Sequence, residues 1–200
     1  MKGRWISIDG CGGSGKTTLV NRLKEKYPEV TYVPEFSEEL TGVALQKAVK
    51  QGAYIISNAK IGSSLLFLSD YFLMCESIIY PNIDNGHTVI SDREFLSKIA
   101  VQDVIMSEKY DKNLVEKCLV QLFRLGPIPD YSINLDVPID IIKSRIRERN
   151  GFFYTGQEEL IRATKRRIED YAQIFHIQTI RICNVEDMEK FIAHSAEYLY

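Results

Sequence analysis

The chain has 200 residues, is 45% hydrophobic and 26% charged, and carries a formal net charge of −2. That length can bury one sizeable core, the composition is that of an ordinary globular protein, and the near balance of charge removes any overall polybasic case for nucleic acid. Cys11, Cys75, Cys118 and Cys183 are scattered without CxxC spacing, and His87, His176 and His194 lack ligand spacing, so no disulfide framework or zinc site is expected and a cytoplasmic setting is.

The apolar run Trp5-Ile6-Ser7-Ile8-Asp9 predicts a first strand over 5–9, entered without a signal-peptide pattern. A glycine-rich bend follows, then a helix over 16–27 that stops before Pro28. A short strand is expected at 31–34, a helix over much of 38–51, and a long apolar helix over 58–81. The stretch 61–81 contains Asp70 and Glu76, which argues for a buried helix and against a membrane span.

"GHTVISD" (86–92) reads as a turn, a buried strand and an exit carboxylate. Helices near 95–107 and 111–124 precede a fourth strand in 129–138, stopped by Pro138. A helix over 139–149 leads into the glycine-bracketed loop "NGFFYTG" (150–156), then a helix over 157–174, a fifth strand at 178–183 and a last helix after Asn184. Such alternation predicts an α/β protein, one domain over 1–200, with a five-stranded parallel sheet, helices on both faces and a short lid at about 145–157.

Chemistry enters with Gly10-Cys11-Gly12-Gly13-Ser14-Gly15-Lys16-Thr17, which fits G-x-x-x-x-G-K-[ST] and is followed by Thr18. A glycine-rich bend turns successive backbone N–H groups inward, and the next helix adds its N-terminal dipole, so phosphate oxygens are held without side chains. Lys16 is expected to reach the β- and γ-phosphates and the Thr17 hydroxyl to ligate Mg²⁺. ATP with Mg²⁺ is the expected pair. An N-K-x-D guanine motif and an L-S-G-G-Q signature are both missing. Transfer to a small acceptor remains, which needs a second pocket and a lid that excludes water.

The second pocket is suggested by "LLFLSDYFLMCESIIYPNIDNGHTVISDREFLSKIAVQ" (65–102), "LDVPIDIIKSRIRERN" (135–150) and "RRIEDYAQI" (166–174). Together with the phosphate loop these segments resemble the thymidylate kinases over most of the chain, with the deoxynucleoside kinases as nearest cousins. The resemblance implies a P-loop kinase that passes the γ-phosphoryl group of ATP to a pyrimidine deoxynucleoside monophosphate such as dTMP. It implies that Phe67 stacks on the acceptor base, that Asp92 holds Mg²⁺ through water, and that Arg93 grips phosphoryl or acceptor oxygens. Ser97 and Gln102 match acceptor-contacting positions. A homodimer through the long helix is implied too, with neither nucleic acid nor membrane as a partner.

Arg145 and Arg149 share a helix face while Arg147 points elsewhere; Arg149 is the expected lid arginine and Arg147 its reserve. Near the C-terminus, Asn184, Val185 and Glu186 match the position where the family's adenine edge packs. Glu35 lies where deoxynucleoside kinases carry the glutamate that deprotonates the acceptor hydroxyl, so a nucleoside 5′-hydroxyl with Glu35 as base is a competing acceptor reading. A non-catalytic nucleotide-binding module is a third. Three positions depart from the thymidylate kinase pattern: Gly12 replaces a carboxylate in the phosphate loop, Phe36 an arginine for the acceptor phosphate, and Tyr71 an arginine facing the base. The lid loop "GFFYTG" also lacks the family's further arginine.

Overall fold

The computed structural model describes residues 3–50, 59–93, 95–153 and 156–200. Positions 51 and 58 of the expected helix ends, and 154–155 of the expected lid, lie outside them. Five strands, β1 (Trp5–Gly10), β2 (Thr31–Val33), β3 (Val89–Asp92), β4 (Tyr131–Leu135) and β5 (Gln178–Ile182), form one sheet in the order β2-β3-β1-β4-β5. Every pairing is parallel.

The helices are α1 (Lys16–Lys26), α2 (Leu40–Lys50), α3 (Lys60–Met74), α4 (Tyr80–Asp84), α5 (Leu96–Ser107), α6 (Lys112–Phe123), α7 (Ile139–Asn150), α8 (Gln157–Ile174), α9 (Val185–His194) and α10 (Ala196–Leu199). They cover both sheet faces. Along β1 alternate side chains feed opposite cores: Trp5 joins Tyr71, Phe95, Phe123 and Tyr171 on one side, while Ile6 and Ile8 join Leu19, Leu23 and Ile133 on the other. Burial on both faces is why this strand reads as an apolar run.

The long apolar helix runs further than its sequence pattern suggests. A π-helical turn, Cys75–Ile79, joins α3 to α4, so the run continues past Pro81 to Asp84. Proline lacks an N–H, and its ring collides with the carbonyl four residues back in a regular helix. Widening the turn just before Pro81 relieves that collision without ending the helix. The 25 residues of Lys60–Asp84 are long and apolar enough to cross a bilayer. Asp70 is nonetheless fully buried, and Leu68, Tyr71, Met74, Cys75, Ile79 and Ile83 pack into the core.

The chain leaves β1 toward β2 and leaves β4 toward β5, in opposite directions across the sheet. Such a reversal opens a crevice at the carboxyl ends of the strands, where open α/β sheets take ligands. Gly10 ends β1 there, so close to β4 that a Cβ on it would sit 2.8 Å from the Leu135 carbonyl oxygen.

Candidate active site

Between β1 and α1 the loop 10–15 turns through glycines with positive φ at Gly10 (133°), Gly13 (84°) and Gly15 (105°), backbone conformations that side chains oppose. Lys16 is buried, and its Nζ donates to the Gly10 and Cys11 carbonyl oxygens at 3.0 and 3.1 Å. The lysine therefore closes the loop on itself. Burial pushes its pKa down to about 8, with Arg93 adding to the fall and Asp92 and Glu35 opposing it.

Beneath the loop, Asp9 is fully buried and accepts from the Ser97 N–H (2.6 Å), the Ser97 hydroxyl (2.7 Å) and the Ser132 hydroxyl (2.9 Å). The Ser97 Oγ also accepts from the Gly10 N–H at 2.8 Å. With its hydroxyl spent under the loop and no exposed surface, Ser97 anchors the loop. Asp9 joins the site unannounced by any motif. Cys11 is buried as well, its thiol donating to the Ile161 carbonyl oxygen at 3.6 Å, and burial raises its pKa. Burial disfavours the thiolate, the form in which a cysteine reacts.

At the end of β3, one Asp92 carboxylate oxygen accepts from the Thr17 hydroxyl at 3.5 Å, while the other is buried without a hydrogen-bond partner. Burial raises the Asp92 pKa; Lys16 and Arg93 pull against the rise, and Glu35 adds to it. An orphaned carboxylate oxygen beside an exposed hydroxyl is a hard oxygen donor set, and it fits Mg²⁺ held mainly by phosphates and water. No group of three or more His, Cys, Asp or Glu among the described residues forms a cage of its own.

Arg93 adopts φ 63°, a left-handed conformation rare outside glycine. Its amide still donates to the Ile8 carbonyl oxygen at 2.8 Å, so the chain turns sharply just after pairing with β1. Its Nη1 donates to Glu35 Oε1 at 2.7 Å. Burial works against a charged Glu35, yet Arg93, then Lys16 and Lys98, outweigh it and hold the carboxyl below its ordinary pKa. A Cβ on Gly12 would stand 3.6 Å from Arg93 Nη2. Glu35 therefore brings to Arg93 a carboxylate that position 12 cannot supply.

Around these groups lies a cleft of about 560 Å³, whose lining includes loop residues, Lys16, Thr17, Thr18, Glu35 and Arg93, together with Arg145, Arg149, Val185 and Met188. Of the three α7 arginines, Arg145 touches the loop, donating to the Gly13 and Ser14 carbonyl oxygens at 3.2 Å each. Arg149 lines the cleft but donates to Asn150 Oδ1 at 3.1 Å, and the Arg147 guanidinium lies 5.9 Å from the Phe153 ring centre. Helical spacing had paired Arg145 with Arg149; which of the two reaches the loop depends on how α7 is seated against Gly13.

The expected acceptor contacts divide. Phe67 is nearly buried and faces Phe36, their ring centres 6.0 Å apart. Tyr71 is fully buried and stacked on Phe123 at 4.7 Å, and Gln102 is buried within α5. Tyr71 is thus a core aromatic in this structure and not a pocket wall, because its stacking surface is taken up by Phe123. Near the C-terminus, Asn184 caps α9 by accepting from the Asp187 N–H at 2.9 Å, which leaves Val185 to line the cleft.

A phosphate loop at the mouth of a parallel sheet, a carboxylate and hydroxyl suited to magnesium, and arginines on two sides define a P-loop phosphotransferase. The thymidylate kinase family model matches residues 8–193. A thymidylate kinase of Carboxydothermus hydrogenoformans is 30% identical over 187 residues, covering 91% of this chain and 89% of the relative. One of Prochlorococcus marinus strain NATL2A is 34% identical over 158 residues, 74% of either chain. In fold, the chain resembles the thymidylate kinase of Candida albicans (TM-score 0.71, 16% identity, 98% of this chain and 92% of that one). It also resembles that of Ehrlichia chaffeensis (TM-score 0.68, 18% identity, 98% and 99%). This chain belongs to the thymidylate kinase family.

Proposed function

We propose that the protein transfers the γ-phosphoryl group of ATP to the phosphate of dTMP, giving dTDP and ADP. The observation that carries this reading is that Lys16, Thr17 and Arg93 line one cleft, with Asp92 bonded to Thr17 beside it; Arg93 would serve the acceptor end. Backbone amides of 10–17 would hold the triphosphate tail, and Lys16 would leave its carbonyl partners to follow the transferring group. Thr17 and Asp92 would hold Mg²⁺, which when bound neutralises charge on the β- and γ-oxygens. Arg93 would grip the acceptor phosphate in bidentate fashion, and Arg145 and Arg149, in a lid over about 145–157, would close over the donor and exclude water.

The competing acceptor, a nucleoside hydroxyl deprotonated by Glu35, is disfavoured. A carboxylate ion-paired at 2.7 Å and held below its ordinary pKa is a weak base. A coupled ADP-release assay over dTMP, dUMP, dCMP and thymidine tests the reading. Release with dTMP supports it; release with thymidine alone, or with no acceptor at all, overturns it.

Two settings belong to the same proposal. Leu65 and Leu66 on α3, with Leu40 and Val43 on α2, are exposed large apolar side chains and suit a homodimer face, which light scattering reads directly. No cysteine among the described residues is in a disulfide, which suits a reducing cytoplasm.

A further inference from the structure

Residues 34–39, between β2 and α2, carry Glu35 and Phe36 in a segment without helix or strand. Two buried charges from different helices grasp it. On α3, the fully buried Asp70 accepts from the Ser37 N–H at 3.2 Å, from the Ser37 hydroxyl, and from the Thr41 hydroxyl at 3.1 Å. On α5, Lys98, 4% exposed, donates through Nζ to the Glu35 carbonyl oxygen at 3.4 Å.

Among the described residues, the three donors to Asp70 are neutral. Burying a carboxylate is costly unless its lone pairs are met, and these bonds meet them on both oxygens. What they also achieve is geometry. Phe67 and Asp70 lie three residues apart on α3 and so share a face. The helix that presents the Phe67 ring to Phe36 therefore also holds the backbone one residue beyond Phe36. The first turn of α2 is drawn in as well: a Cβ on Gly42 would fall 2.1 Å from the Ser37 carbonyl oxygen, which only glycine permits.

We propose that Asp70 is a positioning residue for the acceptor side of the reaction: through Ser37 and Thr41 it sets the register of the 34–39 loop on α3, and so the placement of Glu35 on Arg93 and of Phe36 on Phe67. Lys98 holds the same loop from the α5 side. The proposal rests on the reading of this cleft as a dTMP kinase site. It makes Asp70 act on acceptor affinity without touching acceptor or ATP.

The test compares Asp70→Asn, Ser37→Ala and the double variant, all as full chains, by steady-state kinetics with ATP and dTMP. Losing one charge-assisted hydrogen bond is expected to raise KM for dTMP about tenfold in each single variant. KM for ATP should stay within about twofold, and the double variant should lose much less than the product of the singles. A residue that merely supports the fold would lower thermal stability and leave both KM values of the folded fraction unchanged, and that result overturns the proposal. Should Asp70→Asn fail to fold, Ser37→Ala, which deletes one hydroxyl and keeps the amide bond, decides alone. Amide hydrogen exchange over residues 34–42 separates this idea from the reading beneath it. If the wild-type protein turns over no dTMP, faster exchange there in Ser37→Ala still supports the clamp, and unchanged exchange removes it.

Discussion

Arg93 Nη1 lies 2.7 Å from Glu35 Oε1, so the one arginine expected to grip the acceptor phosphate is held by an internal carboxylate before any acceptor arrives. Both side chains are partly buried, where an ion pair is screened less than at the surface. Arg93 also keeps a left-handed backbone at φ 63°. Such a conformation costs on the order of 1–3 kcal/mol and persists only where its surroundings enforce it.

Glu35→Gln therefore separates two roles for this carboxylate. If Glu35 serves Arg93 as a counter-ion, the variant keeps turnover with dTMP within about tenfold of wild type, since Gln can still accept one hydrogen bond. A general base would be missed by about 10²–10⁴-fold. Arg93→Lys should lose about 10²-fold in kcat/KM for dTMP while KM for ATP stays put, because an ammonium cannot repeat a bidentate guanidinium contact. Steady-state kinetics with each substrate varied in turn reads both.

Lys16 carries a pH signature. Its pKa falls from 10.5 to about 8 in the free protein, burial being the main cause. The unfolded chain thus binds more protons than the folded one between about pH 8 and 10.5, so this residue makes stability rise with pH across that window. A bound triphosphate favours the ammonium and raises the pKa again. Near pH 8, ATP binding should take up roughly half a proton, measured by calorimetry in buffers of different ionisation enthalpy. Lys16→Ala should abolish that uptake and lower kcat by about 10²-fold or more, with circular dichroism unchanged. Uptake that survives in the variant would exclude Lys16 as its source.

Gly13 cannot change cheaply. At φ 84° an added Cβ would lie 3.2 Å from Ile146 Cγ1 and 3.3 Å from the Ile142 carbonyl oxygen, both on α7. Gly13→Ala should cost about 1–3 kcal/mol through strain alone, seen as a lower thermal midpoint, and should weaken ATP binding. Gly151, with positive φ but open space around it, carries only the backbone part, so Gly151→Ala should cost less.

Arg145 and Arg149 should differ. Arg145 already bonds the loop carbonyls of Gly13 and Ser14, so Arg145→Ala is expected to raise KM for ATP several-fold and leave kcat nearly intact. Arg149 lines the cleft without a bond to the loop. If it closes on the transferring group, Arg149→Ala loses 10–10³-fold in kcat with little change in KM. Equal effects on both parameters in both variants would refute this division.

What could be read from residues alone is what is encoded locally. The phosphate loop works through main-chain amides in one contiguous segment, and glycines at Gly10, Gly13 and Gly15 are its signature because the backbone there takes positive φ. Strand and helix periods likewise announce a parallel sheet, but the π-turn before Pro81 escaped them, since a widened turn leaves the apolar spacing almost intact, and so did the break that divides the last helix into α9 and α10. Partnerships between distant side chains were decided by tertiary packing. Arg93 and Glu35 stand 58 positions apart, and Ser97 and Asp9 stand 88 apart. No local pattern reveals that Ser97 is spent beneath the loop, that Tyr71 is sealed against Phe123, or that Arg145 reaches Gly13. Each follows from where helices come to rest on the sheet, a sum over the whole core.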